Sequence, residues 1–399
     1  MLGGFPYAGK RAVVLSEQGR GDQARAIAIC AALKAAEPDT DITLIAHYDG
    51  TLAKRDMAWH ARTCGVVDAY IEAHPVGGRV KQRMSTADLV QTLLPHCAVL
   101  YDAMPLAVKT YYQRGVLLQH DADLRLAPYR ILYDGHPFDA WRLKYLHKTW
   151  AELASETTGL EVRADDLSCA APLTCAPLPE RGELPPWDDV DALVARSGSD
   201  DADLIEPIIE GKPYVVIHAG AGGDCAVKVM PKAVTDAIIK RLEADGFPCV
   251  QVGVKGDYAM PTAWKRLGLR LPLTNRLIQG AVALVDNEGF LAYEAVGLGT
   301  PAAVLFNVTP YEIYGFAGNR NLIPGIGKWG SEDAPDKRLV GTPRRCPMGT
   351  CFWGGQWTCG EGWGQQCRLN QKECLSWPRP AEAAAIVAEF VAEKAGGRA

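Results

Sequence analysis

The chain has 399 residues, 48% of them hydrophobic and 22% charged, with a formal net charge of −5. That length exceeds one ordinary core and predicts two domains, and the composition excludes bulk disorder. The acidic balance argues against a broad polyanion-binding surface, so nucleic acid is not an expected partner.

In chain order, Ala12-Val13-Val14-Leu15 predicts a strand over residues 11–16, broken at Glu17-Gln18-Gly19-Arg20-Gly21-Asp22. A helix is expected over 23–36, apolar at Ala24, Ile27, Ala28, Ala31 and Leu33, and a strand over 42–46. Strand, glycine-bearing turn, helix and strand make one βαβ unit. Strand-like runs follow at 66–71 and 98–101. The segment 77–85 between them is polar and basic and reads as a loop, with Arg79 and Arg83 solvated rather than facing an anionic acceptor. Residues 141–157 read as a helix closing this half.

The stretch 169–187 is rich in Pro, Cys and Leu, and acidic residues fill 188–210. A second α/β half then opens with the strand Tyr214-Val215-Val216-Ile217-His218 and a turn of small residues at 219–223. A helix over 231–244 is expected to carry Pro231 in its first turn, where a missing N–H is harmless. Next come a strand over 249–254, a segment 277–284 leading into Val285-Asp286-Asn287-Glu288-Gly289, a helix over 290–298 and a strand over 301–306. After Phe316 the periodicity fails. Residues 380–394 form an Ala/Glu helix, expected to pack back on the first domain.

This pattern predicts an α/β protein of two facing Rossmann-like domains. They span 1–185 and 213–340, joined by a linker at 186–212, with a Cys-rich region at 341–379 and a terminal helix at 380–399. Ligands in such folds lie at the carboxyl ends of the strands. The first ten residues lack the apolar core of a secretory leader, and no apolar run reaches membrane-spanning length. A cytoplasmic enzyme is therefore expected. Peripheral membrane contact and homo-oligomerisation stay open.

Three clusters sit where a strand ends and a helix begins. In the first, Gly21 lets the backbone turn sharply, and Asp22 suits a helix start as an N-cap or, in a cleft, as a general base. The second is His218-Ala219-Gly220-Ala221-Gly222-Gly223 followed by Lys228-Val229-Met230-Pro231. Small residues ahead of a helix suit a diphosphate, and Lys228 would add a point charge. The run is neither a Walker loop nor Gly-x-Gly-x-x-Gly, and a purely structural turn is the plainer reading. His218 reads as a buried strand-end residue. The third is Asp286-Asn287-Glu288-Gly289, an anion or ribose site or a set of helix caps.

In this order the three clusters resemble glycosyltransferase family 9, the ADP-heptose heptosyltransferases, over nearly the whole chain. Arg20-Gly21-Asp22 is similar to that family's Leu-Gly-Asp. His218-Ala219-Gly220 with Lys228-x-Met-Pro is similar to its His-x-Gly…Lys-x-Trp-Pro. Residues 286–306 are similar to its Asp-x-Gly-x-x-His-x-Ala…Gly-x-Pro…Leu-Phe-Gly. Tyr293 stands at the family's His, Met230 at its Trp, three extra residues precede Lys228, and Glu288 looks inserted.

The resemblance implies a GT-B fold and an inverting transfer of a heptose-type sugar from a nucleotide diphosphate, ADP-heptose above all, without a catalytic metal or other cofactor. It implies Asp22 as general base, with Arg20 and Gly21 on the acceptor side. It also implies Lys228 on the donor phosphates, Gly220 and Ala221 against the diphosphate, and Asp286, Asn287, Glu288, Gly289 and Tyr293 lining the donor site. The acceptor could be lipopolysaccharide, a protein hydroxyl or a small glycan. A sugar-nucleotide epimerase or hydrolase, or a non-catalytic sugar-nucleotide or glycan binder, are the competing readings.

Of twelve cysteines, Cys30 and Cys249 sit in apolar runs and read as core residues. Cys346, Cys351, Cys359, Cys367 and Cys374 crowd together, which in a reducing compartment points to metal more than to disulfides. Tetrahedral thiolate sites suit structural iron or zinc. The cluster resembles the iron-holding finger of protein-modifying heptosyltransferases, which implies Cys346, Cys351, Cys359 and Cys374 as ligands and leaves Cys367 spare.

Overall fold

The structure is a computed structural model that describes residues 11–16, 20–47, 60–61, 64–73, 99–102, 123–126, 149–171, 212–220, 228–254, 256–262, 264–269, 271–306, 311–326, 337–344 and 379–397. They fall into two compact units.

The first unit contains β1 (Arg11–Ser16), α1 (Arg20–Ala36), β2 (Asp41–His47), β3 (Ala69–Ala73), β4 (Val99–Asp102), β5 (Asp123–Leu126) and α2 (Trp150–Thr158), followed by a 3-10 turn at Ala164–Cys169. Its strands are all parallel, in the order β3-β2-β1-β4-β5. Ile42, Leu44, Ile45 and Ala46 are wholly buried and Thr43 nearly so, as in a parallel strand covered on both faces. Residues 23 to 33 of α1 are likewise buried all round, so the helix is enclosed, with the 3-10 turn packed against it. Cys30 is part of that core, and burial raises its thiol pKa well above the usual value. The helix starts at Arg20, three residues earlier than expected, so Asp22 lies inside the first turn and is not the N-cap.

His60 is fully buried in this unit. Burial drives its pKa down to about 4, helped by the charge of Arg20 and opposed by a backbone hydrogen bond at Ala170. A histidine neutral when folded binds its proton more readily when unfolded. Stability is therefore complete above about pH 6.5 and is lost as the pH falls toward 4. Denaturant titrations should show about 2 kcal/mol less stability at pH 5 than at pH 7.5 from this group, a difference that His60→Gln removes.

The second unit contains β6 (Val215–Ile217), α3 (Lys232–Ala244), β7 (Cys249–Gly253), β8 (Trp264–Leu267), α4 (Leu271–Gly280), β9 (Ala283–Asn287), α5 (Phe290–Gly297), β10 (Ala302–Leu305), α6 (Tyr311–Tyr314), β11 (Arg320–Ile326), β12 (Lys337–Arg344) and α7 (Pro380–Gly396). Seven parallel strands run in the order β12-β11-β10-β9-β6-β7-β8. Its first four strands repeat the order of the first unit's: third, second, first, fourth. In both sheets the order reverses between the first and fourth strands, at β1/β4 and at β6/β9. Crevices at such switch points are where open α/β sheets bind ligands.

The core of this unit joins Val215, Ile217, Val234, Ile238, Leu242 and Val285 to Ala383, Val387, Phe390 and Val391 of α7. The terminal helix was expected on the first domain. Its apolar face packs on α3 and the second sheet. Cys249 is buried here as expected. Among the described residues no helix is long and apolar enough to cross a membrane. The linker 186–212, apart from Lys212, and the Cys-rich region 345–378, with Cys346, Cys351, Cys359, Cys367 and Cys374, lie outside the described residues.

Candidate functional site

The carboxyl end of β6 carries His218, and the neighbouring end of β9 carries Asp286 and Asn287. The sheet ladder continues past both strands: the His218 N–H donates to Val285 O at 2.9 Å, and the Glu288 N–H donates to Leu305 O at 3.0 Å. Backbone pairing therefore fixes where these side chains start.

His218 Nδ1 lies 2.7 Å from Asp286 Oδ1, spanning the two strands of the switch point. Asp286 is wholly buried. Burial raises its carboxyl pKa, with the adjacent His218 pulling the other way. A carboxylate on Nδ1 fixes the imidazole's tautomer and orientation. From sequence His218 reads as a buried strand-end residue, and its pairing with Asp286 is not visible there. What the sequence does carry is a His and an Asp, each at the end of an adjacent-strand candidate.

Lys228 reaches the same edge from the chain leading into α3. The Met230 N–H donates to Ala219 O at 3.3 Å, and the Met230 side chain is buried, so this segment is tied back onto the end of β6. Pro231 lies just before α3 rather than within its first turn, and its carbonyl accepts from the N–H groups of Val234 and Thr235. The Lys228 ammonium donates to Glu288 Oε2 at 2.5 Å, with side chains 17% and 7% exposed. The other Glu288 oxygen accepts from the Tyr293 hydroxyl at 3.2 Å. Tyr293, on the first turn of α5, is buried edge-on against Phe316.

Two glycines shape this edge. A Cβ on Gly220 would stand 2.9 Å from Asp257 Oδ2, and one on Gly253 2.3 Å from the same atom. Gly253 also has φ +149, which side-chain-bearing residues rarely adopt. Asp257 accepts from the Val254 N–H at 2.8 Å and so lays its carboxylate against the ends of β6 and β7. No motif in the sequence marks it. Gly289 precedes α5 with φ −179, an extended conformation open to any residue, so the backbone itself does not require glycine there. Among the described residues, Asp286 Oδ2 and Asn287 Oδ1 are buried acceptors without a hydrogen-bond partner.

Of the expected donor-side residues, Gly220, Lys228, Asp286, Asn287, Glu288, Gly289 and Tyr293 thus come from the carboxyl ends of β6 and β9 and the segments that follow them. Ala221 lies outside the described residues. Arg20, Gly21 and Asp22 form the first turn of α1 in the first unit, after the carboxyl end of β1. Asp22 Oδ1 accepts from the Arg25 guanidinium one turn on, with Arg25 nearly buried and Asp22 20% exposed. The Asp22 carboxylate is therefore oriented by its own helix.

No protein-family model matches the chain. No curated protein matches it either. Among solved structures, the chain is similar to the glycosyltransferase family 9 protein from Veillonella parvula DSM 2008, at 12% identity and a TM-score of 0.57, covering 96% of this chain and 98% of that one. It is also similar to the ADP-heptose lipopolysaccharide heptosyltransferase II of E. coli, at 15% identity and a TM-score of 0.51, covering 96% and 99%. These likenesses establish the fold: paired Rossmann-like units of the GT-B class, along nearly the whole chain.

Proposed function

We propose that this chain is an inverting glycosyltransferase that moves a heptose-type sugar from a nucleotide diphosphate, ADP-heptose first among candidates, to a hydroxyl acceptor. The observation that carries the reading is the grouping of a nearly buried ammonium, an Asp-oriented imidazole and closely spaced glycines at the switch point of the second sheet. That combination suits a diphosphate: fixed positive charge, N–H donors and room for close backbone approach. The fold of the two glycosyltransferases supports the same reading.

In this account Lys228 takes the charge that grows on the leaving diphosphate as the bond between anomeric carbon and phosphate oxygen breaks. The acceptor oxygen attacks the opposite face of that carbon, and Asp22 takes the hydroxyl proton. One bond forms, one breaks, and the configuration inverts. Asp286 holds His218 in place, and Gly289 leaves space where the backbone alone would tolerate a side chain. Ion pairing with Arg25 keeps the Asp22 carboxylate in one orientation, which proton transfer in a defined geometry requires.

The test is incubation of the purified chain with ADP- and UDP-linked heptoses and hexoses, alone and with lipopolysaccharide-core, peptide and glycan acceptors, read by mass spectrometry. A glycosylated acceptor together with free nucleoside diphosphate is expected. Free sugar or an epimer without acceptor product would establish the hydrolase or epimerase reading. Binding with no turnover of any kind would establish a binding protein.

A further inference from the structure

The ammonium assigned to the donor phosphates is already paired with Glu288 at 2.5 Å. That carboxylate is nearly buried and is held on its other oxygen by the Tyr293 hydroxyl. Its backbone N–H is fixed in the sheet ladder by Leu305 O. The pair is therefore built into the end of β9 and the start of α5 and does not arise from two long surface side chains meeting in solvent. A second carboxylate, that of Asp257, lies against Gly220 on the same edge. A diphosphate arriving at Lys228 therefore meets, among the described residues, the Glu288 carboxylate already on the ammonium and the Asp257 carboxylate on the same edge.

We propose that Glu288 is an internal counter-ion that competes with the diphosphate for Lys228 and so sets how tightly donor and product are held. This rests on the placement of the donor at Lys228. Anion binding requires the Lys228–Glu288 contact to be given up, and departure of the nucleoside diphosphate restores it. The carboxylate thus lowers affinity for phosphoanions and hastens product release. Tyr293 positions it by holding the oxygen that Lys228 does not. A glutamate here that only read sugar hydroxyls would leave pyrophosphate binding unchanged, since pyrophosphate carries none.

Calorimetric titration of the full chain with inorganic pyrophosphate and with ADP separates the two. Glu288→Gln keeps the shape, removes the charge and should bind both probes about tenfold more tightly, the effect of about 1.4 kcal/mol of relieved repulsion. Tyr293→Phe, which releases one side of the carboxylate, should give a smaller gain in the same direction. If transfer is observed, ADP should also become a stronger product inhibitor of Glu288→Gln. Equal or weaker pyrophosphate binding by both folded variants, confirmed by thermal melts, overturns the counter-ion role. Tighter pyrophosphate binding in a chain with no transferase activity would leave the counter-ion role standing and overturn the proposed function.

Discussion

Asp22→Asn should lower kcat for sugar transfer about 100- to 10,000-fold while leaving donor affinity unchanged. A general base contributes on that scale, and an amide of the same shape cannot accept the hydroxyl proton. The competing role for Asp22 is structural, because its carboxylate pairs with the nearly buried Arg25 in the first turn of α1. Asparagine keeps an acceptor oxygen for that guanidinium but removes the charge, so a stability loss of about 1–3 kcal/mol is expected on either account. The two separate in the kinetics. A base shows itself as a collapse of kcat in a protein still folded at the assay temperature, with ADP affinity by calorimetry intact. A structural residue shows a lower melting temperature and near-normal turnover below it. Arg25→Lys should reproduce part of the stability loss with little of the catalytic one.

Lys228→Met should lower kcat for the same transfer about 100- to 1,000-fold and weaken ADP binding, because one preorganised group facing developing charge is worth that much. This variant also leaves the Glu288 carboxylate nearly buried beside a methyl group. Removing one partner of a buried ion pair costs about 3–5 kcal/mol, so lost activity alone would be ambiguous. The double variant Lys228→Met with Glu288→Gln resolves it. With both charges gone, most of the stability should return, while transfer and ADP binding stay low. Recovery of activity together with stability would show that Lys228 serves only to satisfy Glu288, and the phosphate role would be lost.

Much of this arrangement could be read from the chain, for definite reasons. Parallel strands covered on both faces are continuous apolar runs, so Val13-Val14-Leu15 and Tyr214-Val215-Val216-Ile217 announced themselves. The three polar clusters were visible because each interrupts such a run where a helix begins. The misses have physical causes too. β8 is the edge strand Trp264–Leu267, only partly buried, with no apolar run to mark it. β11 and β12 contain Pro and Gly, which read as breakers. Pro324 is tolerated because the pairing register shifts between it and Ile326. Only the end of α4 falls within 277–284, which reads as a lead-in to β9, and Pro272 at its start stands in a first turn, where proline is tolerated.

Within the candidate site, residue identity was legible and partnership was not. Glu288 looked like an insertion, yet it is the group that touches Lys228. His218 and Asp286 are 68 positions apart, and only the adjacency of β6 and β9 makes them a pair. Asp257 follows a strand whose Gly253, together with Gly220, admits its carboxylate. The early start of α1 changed Asp22 from a cap into a side chain held by Arg25. Such pairings are set by sheet order, which local spacing does not encode.

The most direct measurement is a crystal structure of the chain with ADP bound. The diphosphate should lie over Gly220, with an oxygen about 3 Å from the Lys228 ammonium and Glu288 turned off it. Diphosphate density elsewhere, with the Lys228–Glu288 contact unbroken, would contradict the account at its root.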